Sequence, residues 1–282
     1  MARLFKYLAL LVLSGALVAC QNPRFALEAL AETNHYQISE QTLARLPMIQ
    51  LSPIKTSSLE SVSLRVYIEG DGRAWITQSQ PSLDPTPHNL FFAQLAMHDV
   101  PPSIYLGRPC QFVRNESCTV SLWTSARFGQ QTLTAMHLAL DKIRDDFKVQ
   151  KFELIGYSGG AAIALLLAAQ RDDVEQVQTI AGNLSPKVWA QFHQLTALDQ
   201  SQDPTSYATQ LQSIKQRHFV GELDKNISLP LFYQFMQSFS PQAECVELVE
   251  VKQADHAQGW NKDWQAWSHG PIHCMSKSEL LR

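Results

Sequence analysis

Short apolar runs and stretches with helical spacing follow one another along most of this chain. Compact or alternating apolar runs predict strands at residues 48–51, 62–68, 103–106, 152–155, 174–181, 217–220 and 245–251. Apolar positions at helical spacing predict helices over residues 90–97, 125–147, 161–169 and 229–239, the second of them capped by Ser125. Strands that alternate with helices indicate an α/β fold with a mostly parallel central sheet and helices on both faces.

The chain starts with positive charge and a short apolar run over residues 8–18. This pattern predicts a signal peptide over residues 1–19, because the run is too short for a comfortable membrane span. The run ends in Leu-Val-Ala-Cys at Cys20, which resembles the lipobox of bacterial lipoproteins. That resemblance implies a lipidated Cys20 in the bacterial cell envelope, and Gln21 after it favours the outer membrane, facing the periplasm. An ordinary secretory signal with an incidental cysteine stays open.

One domain is predicted after this leader. The chain has 282 residues, of which 45% are hydrophobic and 17% charged, and these proportions suit a single large core. Residues 20–47 are predicted to be a tether with an amphipathic helix, and residues 48–282 to be the domain itself. Within it, residues 184–213 hold short helical pieces with two prolines, which predicts a small cap insertion. The apolar side of the tether helix is expected to carry Phe25, Leu27, Leu30 and Ala31.

Charge excludes one class of partner. The formal net charge is −3, and the Lys and Arg residues are scattered rather than striped. Neither a nucleic-acid surface nor a strongly acidic surface is therefore predicted. We expect a monomer that binds no nucleic acid.

The cysteines indicate disulfides. Five occur, and without Cys20 an even number remains in an exported protein. Four cysteines allow three pairings. We favour Cys110 with Cys118, which closes a short loop, and Cys245 with Cys274, which ties the C-terminal tail to the last strand. A zinc site is the alternative, but no paired C-x-x-C spacing supports it.

Residues 156–160 have the sequence Gly-Tyr-Ser-Gly-Gly and stand between an apolar strand and a helix of small apolar residues. A G-x-S-x-G turn in that setting is a nucleophile elbow, in which the serine backbone is strained. Glycine is needed because strand and helix nearly touch there, and the helix after Ser158 points its N–H groups at the reacting centre. A plain structural turn is the alternative.

A serine nucleophile needs a neighbouring base, and the base needs an acid that orients it. In this architecture they follow in the order serine, acid, histidine, just beyond the carboxyl ends of strands. Asp224 fits the acid, with Glu222 as its rival. His256 fits the base, and its neighbour Asp255 is poorly placed to orient it because adjacent side chains diverge. Structural roles are expected for three other histidines, His137, His269 and His273.

The oxyanion that forms during acyl transfer needs N–H donors that already point at it. One is predicted to be the backbone amide of Gly159, and the other Asp71 or Gly72 in the loop after the second predicted strand. A carboxylate that faced the oxyanion would repel it. The side chain of Asp71 is therefore expected to turn into the loop or toward Arg73. A plain turn is the alternative for this loop.

Three larger side chains are candidates for the pocket wall. Tyr157, beside the serine, is expected to belong partly to the core and partly to the wall. For Trp75 and Arg127, packing is favoured over contact with a substrate.

Together these residues resemble the α/β-hydrolase superfamily over roughly residues 48–267. Bacterial lipoproteins of that superfamily carry stretches similar to residues 70–72, 108–110, 123–128 and 156–160. The resemblance implies the α/β-hydrolase fold and a serine hydrolase. Lipases of the superfamily often have His-Gly in the oxyanion loop, whereas Glu69 precedes Gly70 here, so the second oxyanion donor is left open.

The leading hypothesis is an exported, lipid-anchored serine hydrolase that cleaves ester or related acyl bonds through Ser158, Asp224 and His256 and an acyl-enzyme intermediate. A small or extended acyl ester is the expected substrate. It needs no metal and no organic cofactor. Acyl transfer or peptide-bond cleavage on the same fold is a second hypothesis, because a fold does not determine a reaction. A non-catalytic envelope lipoprotein that binds a lipid or a protein is a third.

Overall fold

The computed structural model describes residues 22–55, 63–77, 79–240, 245–261 and 263–274, together with residue 279. The predicted signal peptide and Cys20 lie outside these residues. Among the helices of the described ranges, none combines the length and the apolar character that crossing a membrane requires.

Eight strands and eight α-helices follow one another in the described residues. The strands are β1 (Tyr36–Leu43), β2 (Leu46–Pro53), β3 (Ser63–Ile68), β4 (Ile104–Leu106), β5 (Lys151–Tyr157), β6 (Val174–Ile180), β7 (Lys215–Gly221) and β8 (Val246–Val251). The helices are α1 (Pro23–Thr33), α2 (Phe91–Met97), α3 (Gln130–Phe147), α4 (Gly159–Gln170), α5 (Pro186–Phe192), α6 (Ala208–Leu211), α7 (Leu229–Gln237) and α8 (Trp264–His269). Short 3₁₀ turns occupy Val120–Trp123 and Pro204–Tyr207.

The eight strands form one sheet in the order β1-β2-β4-β3-β5-β6-β7-β8. Strand β2 pairs antiparallel with β1 and β4, and the other pairings are parallel. The chain places β4 on one side of β3 and then returns to place β5 on the other side. The loops that follow β3 and β5 therefore diverge at the carboxyl edge of the sheet, which is where ligand sites form in open α/β sheets.

Helices cover both faces of the sheet, as predicted. One apolar cluster joins the sheet to α3, α4 and α7, and a second joins it to α1, α2 and α8. Helix α4 is buried at every position from Gly159 to Ala168, since it lies directly against the central strands. Because both faces are covered, β3 and β5 are buried along most of their length rather than on alternate residues.

The segment that was predicted as a tether contains a strand that the sequence analysis missed. Strand β1 follows α1 and forms an antiparallel hairpin with β2 along its full length. On α1, Leu27 and Ala31 are buried, whereas Phe25 is 67% exposed, so its predicted place on the apolar side is wrong. Phe25 precedes Leu27 by two residues, about 200° around a helix, and the two cannot face the sheet together.

The long helix predicted from Ser125 begins at Gln130 instead, with Gly129 as its N-cap. The Ser201 hydroxyl donates to the carbonyl of Ser125 at 2.7 Å and accepts from the amide of Phe128 at 3.2 Å. These contacts engage the backbone of the residues before Gln130. The prediction of Ser125 as an N-cap is therefore wrong because a distant segment of the chain holds this stretch outside the helix.

Both disulfides have the predicted pairing. Cys110 is bonded to Cys118, and their Cα atoms lie 5.8 Å apart. Cys245 is bonded to Cys274, with 4.1 Å between the Cα atoms. The second bridge joins the C-terminal tail to the start of β8.

The segment between β6 and β7 forms the small helical cap that the sequence predicts. It contains α5, one 3₁₀ turn and α6. The carboxylate of Asp203 holds it together, because it accepts from the hydroxyl of Ser185 at 2.9 Å, the amide of Lys187 at 2.8 Å and the amide of Thr205 at 3.0 Å. Helix α5 is thereby fixed at the edge of the sheet where β6 ends.

Candidate active site

The turn between β5 and α4 holds Ser158 in a conformation that side chains seldom adopt. Its backbone angles are φ 50° and ψ −120°, and α4 begins at the next residue. A Cβ atom on Gly156 would stand 2.5 Å from the Cα of Ala161, and one on Gly160 would stand 2.1 Å from the carbonyl oxygen of Ile68. The strand and the helix approach so closely that only glycine fits on either side of the serine, as the elbow motif requires.

Ser158, His256 and Asp224 lie in one hydrogen-bonded row. The Nε2 atom of His256 is 3.0 Å from the Oγ atom of Ser158, and its Nδ1 atom is 2.9 Å from Oδ2 of Asp224. An ionised carboxylate only accepts, so Nδ1 carries the proton and the lone pair of Nε2 faces the serine hydroxyl. This arrangement can take a proton from the hydroxyl and hold the resulting imidazolium.

Asp224 and His256 reach the serine from loops that follow β7 and β8. The carboxylate of Asp224 is fully buried, and its Oδ1 atom accepts from the amides of Asn226 at 2.8 Å and Ile227 at 2.9 Å. The hydroxyl of Tyr157 donates to the carbonyl of His256 at 3.0 Å. Burial raises the pKa of Tyr157 well above its ordinary value, so its phenol stays a donor. Acid and base are both held by backbone contacts.

The rival acids and histidines bond elsewhere. The exposed Glu222 pairs with Lys252 at 3.1 Å. The pKa of Glu222 is lowered, chiefly by a hydrogen bond from the backbone of Gln253 and next by the hydrogen bond from Lys252. The carboxylate of Asp255 accepts from two amides of its own loop. His269 contacts a buried pair formed by Arg65 and Asp99. His137 contacts the side chain of Gln170, and the backbone amide of His273 donates to Glu247, both away from Ser158.

Two predicted sets of oxyanion donors flank Ser158. The amide of Gly159 belongs to the first turn of α4, where a helix leaves its N–H groups without intrahelical partners. The loop after β3 brings Asp71 and Gly72 alongside. Gly72 has a φ of +59°, and a Cβ there would stand 2.1 Å from the carbonyl oxygen of Pro85, so both the backbone conformation and the space favour glycine. Within the described residues, the amides of Asp71 and Gly72 donate no hydrogen bond to the protein. Their role as donors stays a prediction.

The side chain of Asp71 was expected to turn into its loop or toward Arg73, but it pairs with two other arginines, Arg108 and Arg127. Its carboxylate packs against Gly159, where an added Cβ would stand 2.1 Å from Oδ1. Buried Arg108 and Arg127 pair with it at 3.1 and 2.9 Å. Two guanidinium groups therefore offset the negative charge of Asp71 beside the candidate oxyanion site. They reduce the repulsion that this carboxylate would otherwise exert on an oxyanion.

The same loop is braced from below by side chains that the sequence analysis did not assign. Glu69 is buried and accepts from the amide of Gly70 at 2.8 Å and from the hydroxyl of Tyr105 at 2.7 Å. Burial raises the pKa of Glu69 to about 7. The side-chain Nε2 of Gln111, next to the Cys110–Cys118 bridge, donates to the carbonyl of Gly70 at 3.0 Å. The 108–110 stretch was the sequence signal that could have led to this brace.

A cavity of about 470 Å³ opens above Ser158. Trp75, Arg127 and Tyr157 line it together with Ser158 and His256. Arg127 both packs and lines the cavity, since it is buried while its guanidinium pairs with Asp71. A second cavity of about 480 Å³ is lined by residues of the cap alone and touches none of the three residues of the row. Ser158 and His256 face the first cavity.

Two further residues of that cavity were missed. Asn226 follows Asp224 by two residues, and its Nδ2 atom lies 3.4 Å from Nε2 of His256. Trp189 on α5 donates from its indole to Oδ1 of Asn226 at 3.1 Å. The guanidinium of Arg127 lies 5.3 Å from the centroid of the Trp189 ring. No local sequence pattern predicts these contacts, because they join residues of the cap and of loops that lie far apart in the chain.

Solved structures with this architecture include an esterase of Pyrococcus furiosus, which is 12% identical at a TM-score of 0.56, over 84% of this chain and 91% of that one. An acylaminoacyl peptidase of Pyrococcus horikoshii is 10% identical at a TM-score of 0.58, and the match covers 88% of this chain and 44% of that one. A cold-adapted esterase from an Arctic intertidal metagenomic library is 13% identical at a TM-score of 0.51, and the match covers 82% of this chain and 88% of that one.

No family model and no curated protein sequence matches the chain. The sheet order, the elbow after β5 and these structural likenesses show that the chain has the α/β-hydrolase fold. At such low sequence identity the likeness concerns the fold, and the activity has to be argued from the side chains above Ser158.

Proposed function

We propose that this chain is an exported, lipid-anchored serine hydrolase that cleaves ester or related acyl bonds through an acyl-enzyme intermediate. One observation carries the proposal. The imidazole of His256 bridges the hydroxyl of Ser158 at 3.0 Å and the buried carboxylate of Asp224 at 2.9 Å. Such a row is what a serine needs to become a nucleophile at neutral pH.

In the first half of the reaction, Ser158 attacks the acyl carbon and its proton passes to Nε2 of His256. The bond between Oγ and the acyl carbon forms, and the carbonyl oxygen becomes an oxyanion near the amide of Gly159 and the loop amides of Asp71 or Gly72. The intermediate collapses, the bond to the leaving oxygen breaks, and that oxygen takes the proton from His256. Asp224 stabilises the imidazolium throughout.

In the second half, water enters where the alcohol left. His256 takes a proton from the water as its oxygen attacks the acyl carbon. Collapse of this second intermediate returns the proton to Oγ of Ser158 and releases the acid. Each step draws on side chains and amides of the chain itself.

The cavity supports small or extended acyl esters as substrates. It has a volume of about 470 Å³, the partly exposed Trp75 forms part of its lining, and the cap that flanks it is short. A cavity of this kind holds a ligand of modest size against a few polar groups.

The proposal includes the anchor. The Leu-Val-Ala-Cys stretch that ends at Cys20 supports lipidation there, and the two disulfides fit an oxidising compartment of the cell envelope. We propose a monomer that is held at the outer membrane by Cys20 and faces the periplasm. Labelled palmitate should enter the wild type and not Cys20→Ser, while Ser158→Ala should label like the wild type; label in Cys20→Ser would refute the anchor.

A fluorophosphonate probe tests the activity. The full chain in detergent should be labelled, Ser158→Ala should not, and hydrolysis of short-chain esters should disappear with the label. A well-folded wild type that takes up no label would instead support the non-catalytic binding role. Addition of an acceptor alcohol distinguishes an acyltransferase, because the acyl group would then appear on the alcohol rather than as free acid.

A further inference from the structure

A carboxamide stands beside the nitrogen that would carry the proton in this reaction. The Nδ2 atom of Asn226 lies 3.4 Å from Nε2 of His256, at the long end of hydrogen-bond distance. Asn226 is half-buried and lines the same cavity as Ser158. In the proposed hydrolysis, the side-chain amide of Asn226 has so far no role.

The orientation of the amide is determined by its neighbours. The indole N–H of Trp189 can only donate, and it meets Oδ1 of Asn226 at 3.1 Å. The oxygen therefore faces Trp189 and the NH₂ group faces His256. The backbone of Asn226 is held as well, because its amide donates to Asp224 at 2.8 Å and its carbonyl accepts from Nε2 of His193 at 2.8 Å.

This orientation has a consequence once His256 is protonated. In the resting state, Nε2 of His256 is an acceptor, and both the hydroxyl of Ser158 and the NH₂ of Asn226 face it. After proton transfer Nε2 becomes a donor, so the NH₂ of Asn226 is left beside another N–H and needs a different acceptor. The nearest new acceptor in the reaction is the oxygen that takes the proton from Nε2.

The geometry points to Asn226 as a further catalytic residue that donates a hydrogen bond to the leaving oxygen of the ester, and to the attacking water in the second half. This inference rests on the proposed hydrolase function. As the intermediate collapses, the bond from the acyl carbon to the leaving oxygen breaks and its electron pair goes to that oxygen. The proton on the departing alcohol comes from Nε2 of His256, and Asn226 contributes a hydrogen bond without giving up a proton.

Trp189 acts through Asn226 and is a positioning residue. Its indole fixes the amide, and its ring lies 5.3 Å from the guanidinium of Arg127, which pairs with Asp71 on the oxyanion side. One side chain of the cap thus contacts both halves of the site. The cap is therefore part of the catalytic arrangement as well as a cover.

Two esters of one acid test the inference. A donor at the leaving oxygen matters most for a poor leaving group, so ethyl butyrate and 4-nitrophenyl butyrate are compared by kcat/KM, which reports the first acylation. For Asn226→Ala in the full chain, we expect a loss of roughly 100-fold on the ethyl ester, in the range for removal of one transition-state donor, and less than about 10-fold on the nitrophenyl ester. Asn226→Asp, which keeps the shape and loses the donor, should show the same imbalance.

The controls separate a catalytic role from a structural one. Trp189→Phe keeps an aromatic side chain, smaller than the indole, and removes the N–H, and it should shift the ratio of the two esters in the same direction by a smaller factor. Asn183→Ala removes another amide of the cavity, one that does not contact His256, and should leave the ratio as in the wild type. Thermal unfolding checks that the variants fold. If neither variant at position 226 folds, the ratio of the two esters in Trp189→Phe tests the inference instead.

Equal losses on both esters in the Asn226 variants would overturn the inference and leave the hydrolase intact. A wild type that hydrolyses neither ester and takes up no fluorophosphonate would instead remove the proposed function, and the role of Asn226 with it.

Discussion

The carboxylate of Asp71 lies directly against Gly159, so that a Cβ atom on this glycine would stand 2.1 Å from Oδ1. Negative charge is thereby brought beside the place where an oxyanion would form. Arg108 and Arg127, both buried, pair with that carboxylate from two sides. The pairing turns an unfavourable charge into a braced loop, because two cations offset one anion and hold the backbone of Asp71 beside Ser158.

Removal of one of these cations should slow catalysis more than binding. In Arg127→Gln, Asp71 keeps only Arg108, and its charge is less well offset next to the developing oxyanion. We expect kcat to fall roughly 10- to 100-fold with a smaller change in KM. Steady-state kinetics on a short-chain ester measure this, and Arg73→Gln is the matched control, since Arg73 lines the same cavity without pairing with Asp71.

The double variant Arg127→Gln with Asp71→Asn separates charge from packing. Loss of the carboxylate should restore part of kcat, because the uncompensated anion is then gone. An additive loss in the double variant would contradict the electrostatic account.

The base can be identified by comparing histidines. His256→Ala removes the group that takes the serine proton, and we expect kcat to fall by about 10⁴-fold or more. His269→Ala and His273→Ala should keep most of the turnover per folded molecule, since their contacts are with Asp99, Arg65 and Glu247. Turnover measured beside circular dichroism checks both statements, and an essential tail histidine would show that the base is wrongly assigned.

The elbow should tolerate no added methyl group. In Gly160→Ala the new Cβ would stand 2.1 Å from the carbonyl oxygen of Ile68, which is backbone and cannot move away cheaply. We expect the free energy of unfolding to fall by about 2–4 kcal/mol, measured by urea denaturation. Gly270→Ala serves as control, because the nearest atom is 3.8 Å away, and it should change stability by less than about 0.5 kcal/mol. Similar values for both variants would mean that the elbow is less tightly packed than described.

The buried carboxyl of Glu69 predicts a dependence of stability on pH. Burial raises its pKa from 4.5 to about 7, so the folded chain holds this proton more tightly than the unfolded chain does. The stability that Glu69 contributes is full below pH 4.5 and is lost as the pH rises to about 7. Glu69→Gln cannot lose a proton, so the free energy of unfolding should fall less in this variant than in the wild type between pH 4.5 and 8. The difference can reach about 3 kcal/mol, and parallel pH curves would speak against the raised pKa.

Local pattern was sufficient for the backbone of the site. The strand, the turn and the small-residue helix around Ser158 are adjacent in sequence, and Asp224 and His256 follow the ends of strands that parallel pairing brings to one edge. An even number of cysteines after Cys20 indicated disulfides, and the two favoured pairings were a short loop and a link from the C-terminal tail to the last strand. The placement of Ser158, Asp224 and His256 depends on a local turn and on the ends of strands, which the alternation of strands and helices brings to one edge of the sheet.

Other features needed the tertiary structure. Strand β1 has few apolar residues, so its place beside β2 comes from pairing with its neighbour rather than from its own pattern. The start of α3 at Gln130 depends on a hydrogen bond between Ser125 and Ser201 in the cap.

The environment of the site was decided in the same way. Asp71 meets Arg108 and Arg127 across 37 and 56 residues, and Trp189 meets Asn226 across 37. Sequence determined which groups could react and where the strands present them. The folded chain determined which charges and amides surround them, because such contacts depend on distances in space that spacing along the chain does not encode.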